Sequence, residues 1–223
     1  MEFNLFTLIF LLAILASVIV LLWLNFRQDR AIKSTFNAVP KGFEDAISLE
    51  DHQKAGRYTQ AKLLVSHFEI IFSTIVLLIW TIGGGINLLD MFWHNNITES
   101  PLVLGTAFIV SIMLIASLID LPFSIYRNFI LEQKFGFNRM TLLTFMIDLV
   151  KELLLTLVVS IPLIFAILYL MDAMGNYWWL YVWLTISIFT VIMMWIYPTF
   201  IAPIFNKFAP LENNTLRARI DNL

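Results

Sequence analysis

The sequence predicts an all-α protein, a polytopic transmembrane helical bundle with five spans in this chain. Three observations predict it. The 223 residues are 60% hydrophobic and only 13% charged, too few polar groups to coat a soluble globule of that size, so the apolar excess has to face lipid. Five apolar runs are long enough to cross about 30 Å of hydrocarbon as helices. All 14 Lys and Arg residues fall in the connections on one side of those runs.

The first run, 5–24, carries no charge and about 20 residues, one bilayer thickness at ~1.5 Å per residue. No Lys or Arg precedes it and Glu2 does, so it reads as an uncleaved anchor rather than a signal peptide. The later runs lie at about 63–89, 102–122, 153–171 and 178–197. The run of Gly83, Gly84 and Gly85 loosens the second span near its outer end. Thr141, Thr144, Asp148, Lys151 and Glu152 recur at helical spacing among apolar residues, which makes 141–155 an amphipathic helix leading into the fourth span. A continuous helix to Met171 would measure about 46 Å by rise per residue, more than the bilayer needs, and Pro162 is the expected kink. Residues 1–200 thus read as a transmembrane domain, and 201–223 as the start of a cytoplasmic segment.

Seven basic residues lie between the first two runs, four around the third and fourth, and three after the fifth: Lys207, Arg217 and Arg219. The positive-inside rule then places the N-terminus outside and 25–62, 123–152 and 198–223 in the cytoplasm. Trp93, Tyr177, Trp178, Trp179 and Tyr181 lie near outer span ends, where amphipathic rings favour the headgroup zone. An integral multi-pass protein of a bacterial inner membrane or an endoplasmic reticulum membrane fits this pattern. With no cysteine and a net charge of −2, thiolate chemistry, a disulfide framework and nucleic-acid binding are all excluded as leading readings. Membrane lipid is the expected partner.

The residues offer little chemistry by themselves. His52, His67 and His94 form no zinc pair. His67 and Glu69 are two apart and point to different sides of a helix, so His67 reads as a hydrogen-bonded, partly buried histidine. Glu69 and Asp120 sit within or at the ends of spans, where an ionised group is costly, and either face a water-filled cavity or lie at headgroup depth. Asp148, Lys151 and Glu152 read as an ion-pair cluster on a helix surface. There is no G-x-S-x-G motif, and the lack of an internal repeat argues against an inverted-repeat transporter.

Three cytoplasmic stretches carry more. The first is Val39-Pro40-Lys41-Gly42-Phe43, continued by Ile47 to Ala55 and by Tyr58-Thr59-Gln60-Ala61-Lys62. The second is Phe129-Ile130-Leu131-Glu132-Gln133-Lys134-Phe135-Gly136-Phe137-Asn138. The third is Ile201-Ala202-Pro203-Ile204-Phe205-Asn206-Lys207-Phe208 with Pro210-Leu211. In this order they resemble the N-terminal membrane region of the type I CAAX prenyl protease family, the zinc-dependent membrane metalloendopeptidases.

That resemblance implies seven spanning helices around a water-filled chamber, with a zinc peptidase domain inserted after the fifth. It also implies a peptide or prenylated peptide as substrate. The family's H-E-x-x-H helix, whose histidines hold zinc and whose glutamate activates water, does not occur in this sequence. No catalytic, cofactor-binding or metal residue is therefore carried over. Zinc belongs to the full-length family, none is expected on this chain alone, and the chain by itself is expected to be inactive.

Glu132, Phe137 and Asn138 are candidates for framing the chamber's cytoplasmic mouth, and Asn206 and Lys207 for docking the peptidase domain. The plainer reading makes 132–138 a corner, with Gly136 at positive φ and Asn138 capping the next helix. Gln133 stands where the family more often has a second acidic residue. An Asn213 or Asn214 cap followed by Leu216, Ile220 and Leu223 suggests a helix that runs on, and hence a fragment of a longer chain. The alternatives are a non-catalytic membrane scaffold that binds lipid or peptide, and a small permease subunit.

Overall fold

The computed structural model describes residues 4–97, 100–206, 208 and 220. Among them every regular element is helical, and five helical stretches are long and apolar enough to cross a membrane: Leu5–Thr35, Leu49–Thr81, Pro101–Phe135, Leu142–Ala173 and Gly175–Phe205. At most 6% of the residues in their apolar windows are buried within the protein. Their large apolar side chains are left for lipid to cover, which is what a bilayer as solvent allows.

The chain divides into two compact units, one comprising Met1–Glu99 and Ser111–Met140, the other Ser100–Val110 and Thr141–Leu223. In the first unit, α1 (Leu5–Thr35) starts at Asn4, whose side chain accepts hydrogen bonds from the Thr7 amide at 3.0 Å and the Thr7 hydroxyl at 3.2 Å. It returns as α2 (Leu49–Thr81), capped by Ser48, whose Oγ accepts from the Asp51 amide at 3.1 Å. These caps satisfy amide donors that no helix can pair internally.

Three hydrogen bonds tie α1 to α2: Asn25 Nδ2 to Ser66 Oγ at 3.0 Å, Gln60 Nε2 to Asp29 Oδ1 at 2.9 Å, and His52 Nε2 with the Thr35 carbonyl at 2.9 Å. Partner numbers on α1 rise as those on α2 fall, so the two helices are antiparallel.

The apolar run 63–89 is not one helix. Helix α2 ends at Thr81, and α3 (Gly85–Asn96) begins after Gly84. Gly84 adopts φ +82°, a region that side-chain-bearing residues avoid. A Cβ on Gly83 would lie 2.6 Å from the Ile79 carbonyl oxygen. The three glycines thus terminate the helix rather than merely loosening it.

Helix α4 (Pro101–Tyr126) runs directly into a π-helical turn, Arg127–Glu132, and the short α5 (Gln133–Phe135). Gly136 follows at φ +80°, as the corner requires. Asn138, however, does not cap the next helix. Its Oδ1 accepts from the Met140 amide at 2.7 Å, and Thr141 supplies the cap, accepting from the Thr144 amide at 3.1 Å. The capping role passes to the residue immediately before the first helical turn.

In the second unit, α6 (Leu142–Ala173) is continuous through Pro162, joining the amphipathic stretch and the fourth apolar run in one element. A 3₁₀ turn, Gly175–Tyr177, leads to α7 (Trp178–Ile196), a second π-helical turn at Tyr197–Ile201 and α8 (Ala202–Phe205). Lys151 pairs with Asp148 at 3.2 Å and also donates to the Ile204 carbonyl at 3.0 Å. Its ammonium stands 5.7 Å from the Phe205 ring centroid. The expected ion pair therefore doubles as a clasp on the end of α8. The Asn213 or Asn214 cap lies outside the described residues.

Candidate functional site

Glu69 lies on α2 nearly six turns beyond the Ser48 cap, and the π-helical turn that ends α4 presents Arg127 to it, Nη1 to Oε1 at 3.1 Å. The contact is close but not aligned as a hydrogen bond, so Glu69 Oε1, buried at the atom level, has the charge of Arg127 and no donor pointed at it. A π-helical turn widens the helix by a residue and often marks a functional position; here it turns Arg127 toward α2.

Two cavities meet at this pair. One, of about 300 Å³, is lined by Ser66, Glu69, Ser73, Asp120, Phe123 and Arg127 among others. The other, of about 390 Å³, shares Ser66, Glu69 and Arg127 and extends past Asn25, Tyr58 and Lys62. Glu69, Asp120 and Arg127 together carry a formal charge of −1. Asp120 makes no hydrogen bond or ion pair among the described residues. An ionised carboxylate in a membrane span is expensive unless water or a partner reaches it, and Asp120 lines the cavity, where both can.

The corner at 132–138 is fastened to the same helix. Tyr58 Oη donates a hydrogen bond to Glu132 Oε1. Its ring meets Phe137 edge-on at 4.9 Å and Phe135 at 5.2 Å. The Glu132 carbonyl closes the corner by accepting from the Phe137 and Asn138 amides at 2.9 and 3.3 Å. Lys54 stands 5.8 Å from the centroid of the Phe137 ring, and Lys62 stands 5.2 Å from that of Tyr58.

Of the sequence candidates, Glu132 and Phe137 are thus brought together on Tyr58, and Asn138 is occupied in its own turn. Asn206 is exposed at the end of α8, its amide bonded to the Ala202 carbonyl at 3.0 Å. Lys207 lies outside the described residues. Sequence reasoning missed Tyr58, Arg127 and Asn25 as site residues. Tyr58 stood inside a matched stretch, and Arg127 counted only toward topology; their partners on other helices leave no local signal. Among the described residues no three His, Asp or Glu side chains converge to hold a metal. The described residues do not fit a zinc site.

A family model described as CAAX prenyl protease N-terminal, five membrane helices, matches residues 28–207. The chain belongs to the CAAX prenyl protease family. It is 31% identical over 201 residues to CAAX prenyl protease 1 homolog of Caenorhabditis elegans, covering 90% of this chain and 44% of that protein. The Oryza sativa subsp. japonica homolog is 32% identical over 210 residues, 90% of this chain and 48% of its own. For the Homo sapiens homolog the figures are 30% over 226 residues, 96% and 46%. The crystal structure of S. mikatae Ste24p superposes with a TM-score of 0.86 at 28% identity, covering all of this chain and 53% of that one. The chain therefore spans just under half the length of these curated CAAX prenyl protease relatives. It is an integral, multi-pass membrane protein, the five-helix N-terminal membrane region of the family.

Proposed function

We propose that this chain is the membrane domain of a CAAX-prenyl-protease-type zinc metalloendopeptidase and forms part of the wall of an intramembrane chamber that admits a prenylated peptide. The observation that supports this reading beyond the family match is the cluster of Glu69, Asp120 and Arg127 facing cavities between otherwise apolar spans. Charges inside spans line aqueous paths far more often than they face lipid.

Peptide-bond hydrolysis rests on a zinc-binding H-E-x-x-H segment that this sequence does not contain. This chain's part is to enclose and orient the substrate, with the N-terminus outside and 25–62, 123–152 and 198–223 in the cytoplasm. The corner at Glu132, Phe137 and Asn138 frames the cytoplasmic mouth, and Asn206 and Lys207 dock the peptidase domain.

Co-expression tests the reading. The 223-residue chain alone in proteoliposomes is expected to leave a farnesylated CAAX peptide intact, and co-expression with a family peptidase half carrying H-E-x-x-H is expected to restore cleavage. Proteolysis by the chain alone would overturn the inactivity, and failure of every such pairing would overturn the membrane-domain role.

A further inference from the structure

The cavity at Glu69 and Arg127 continues into a third, of about 350 Å³, through the shared residues Phe72, Ser73 and Asp120. Beyond Asp120 the lining is almost wholly apolar. Val76, Leu77 and Trp80 of α2 face Ile112 and Ile119 of α4, and Ile86 of α3 closes the far end. Two side-chain contacts hold the walls in place: the Phe72 and Phe123 rings at 5.1 Å, and Trp93 Nε1 donating to Ser111 Oγ at 3.0 Å. From Glu69 to Trp80 the groove follows α2 for about 16 Å at ~1.5 Å per residue, roughly half of the ~30 Å hydrocarbon layer.

The groove is thus charged at one end, apolar at the other, and as long as one leaflet is deep. An apolar chain attached to a polar group fits it. The charges then choose between the two sources of such a chain. Arg127 is engaged by Glu69, while Asp120 stands at the junction without a cationic partner among the described residues. A phosphodiester at that point would meet an uncompensated carboxylate. A peptide backbone instead offers neutral N–H donors to it, and a charge-assisted hydrogen bond results.

We propose that the apolar groove between α2 and α4 receives the isoprenoid chain of a prenylated peptide, with Asp120 accepting a backbone N–H next to the modified cysteine. This rests on the proposed function above and gives that substrate an address. Asp120 is here a positioning residue for substrate.

The test is photolabelling of the 223-residue chain in nanodiscs, with a peptide ending in S-farnesylcysteine that carries a diazirine on its last isoprene unit. Labelled peptides are expected to contain residues 76–80 or 112–119, and an unlabelled farnesyl peptide, but not its unprenylated counterpart, should compete. Filling the groove with Ala116→Trp is expected to cut labelling at least tenfold, whereas Leu118→Trp, at a strongly exposed position of the same helix, leaves it unchanged. Asp120→Asn, which fills nothing, should weaken farnesyl-peptide binding several-fold and guards against a misfolded Trp variant.

Labelling outside the groove, or insensitivity to both Ala116→Trp and Asp120→Asn, would sink the proposal. So would equal labelling of the same residues by a diazirine-tailed phosphatidylcholine, which would make the groove a bilayer-lipid site. Because binding is read without cleavage, the proposal stands or falls separately from the co-expression experiment.

Discussion

Tyr58 and Glu132, 74 positions apart, are joined by a hydrogen bond from the phenol to the carboxylate, and that bond ties the corner after α4 to the N-terminal part of α2. Tyr58→Phe removes the donor and keeps the ring contacts with Phe135 and Phe137. Hydrogen bonds to charged groups contribute about 1.5–3 kcal/mol, and partial solvent access puts this one at the lower end. The variant should unfold earlier in a denaturant titration in nanodiscs by roughly that amount, whereas Glu132→Gln, which keeps an acceptor, should lose less. Equal losses would show that the bond draws its strength from the carboxylate charge.

The Glu69 and Arg127 pair lends itself to a double-mutant cycle. Arg127→Met leaves Glu69 Oε1 without its countercharge, and Glu69→Gln leaves an unpaired guanidinium. Each single change should destabilise more than the two together, with a coupling of about 0.5–3 kcal/mol as found for residues in contact. Additive losses in thermal unfolding would mean that the 3.1 Å contact contributes nothing.

At Gly136 and Gly84 the backbone itself makes the prediction. Both have positive φ, +80° and +82°, with open space where a Cβ would stand, so an alanine at either site suffers conformational strain and no clash. The expected cost is about 1 kcal/mol each. Gly136→Asn should be milder than Gly136→Ala, because asparagine tolerates that region. A melting series that ranked them the other way would contradict the conformation.

Lys151 gives a local prediction. Lys151→Met keeps the aliphatic stem and removes the bond to the Ile204 carbonyl. Hydrogen exchange at the amides of 202–206 should rise several-fold while exchange within 155–170 stays as it was. A uniform rise along α6 would instead point to loss of the helix as a whole.

The spans were legible because each is a local property: twenty apolar residues announce themselves wherever they lie in the chain. The caps were less legible: Asn4 and Ser48 directly precede their helices, yet only the side-chain bonds of the structure single them out. At 138–141 the sequence pointed to Asn138 as the cap, but the structure uses Thr141, because Asn138 is spent on its own turn. Gly83 to Gly85 signalled a weak point but not a helix terminus; that followed from Gly84 at positive φ and from the clash a Cβ on Gly83 would make with Ile79. The site was the least legible part. Glu69 and Asp120 stood out as charges in apolar runs, but nothing near Glu69 in sequence points to Arg127, and a helix-to-π transition has no compositional signature. Family resemblance located Glu132 and Phe137 as candidates without supplying Tyr58 as the group that joins them.

The scarcity of buried residues in the spans governs how loss of the fold can be observed. Separating α1 from α2 in a bilayer exchanges protein contacts for lipid contacts and exposes little apolar surface to water. The heat-capacity increment of unfolding, which scales with such exposure, should therefore be small for a chain of this size. Each span keeps its own backbone hydrogen bonds in hydrocarbon, so far-ultraviolet circular dichroism should change little as the interhelical links part. The indole of Trp93, bonded to Ser111, is the better reporter, and its emission should move before any helical signal does.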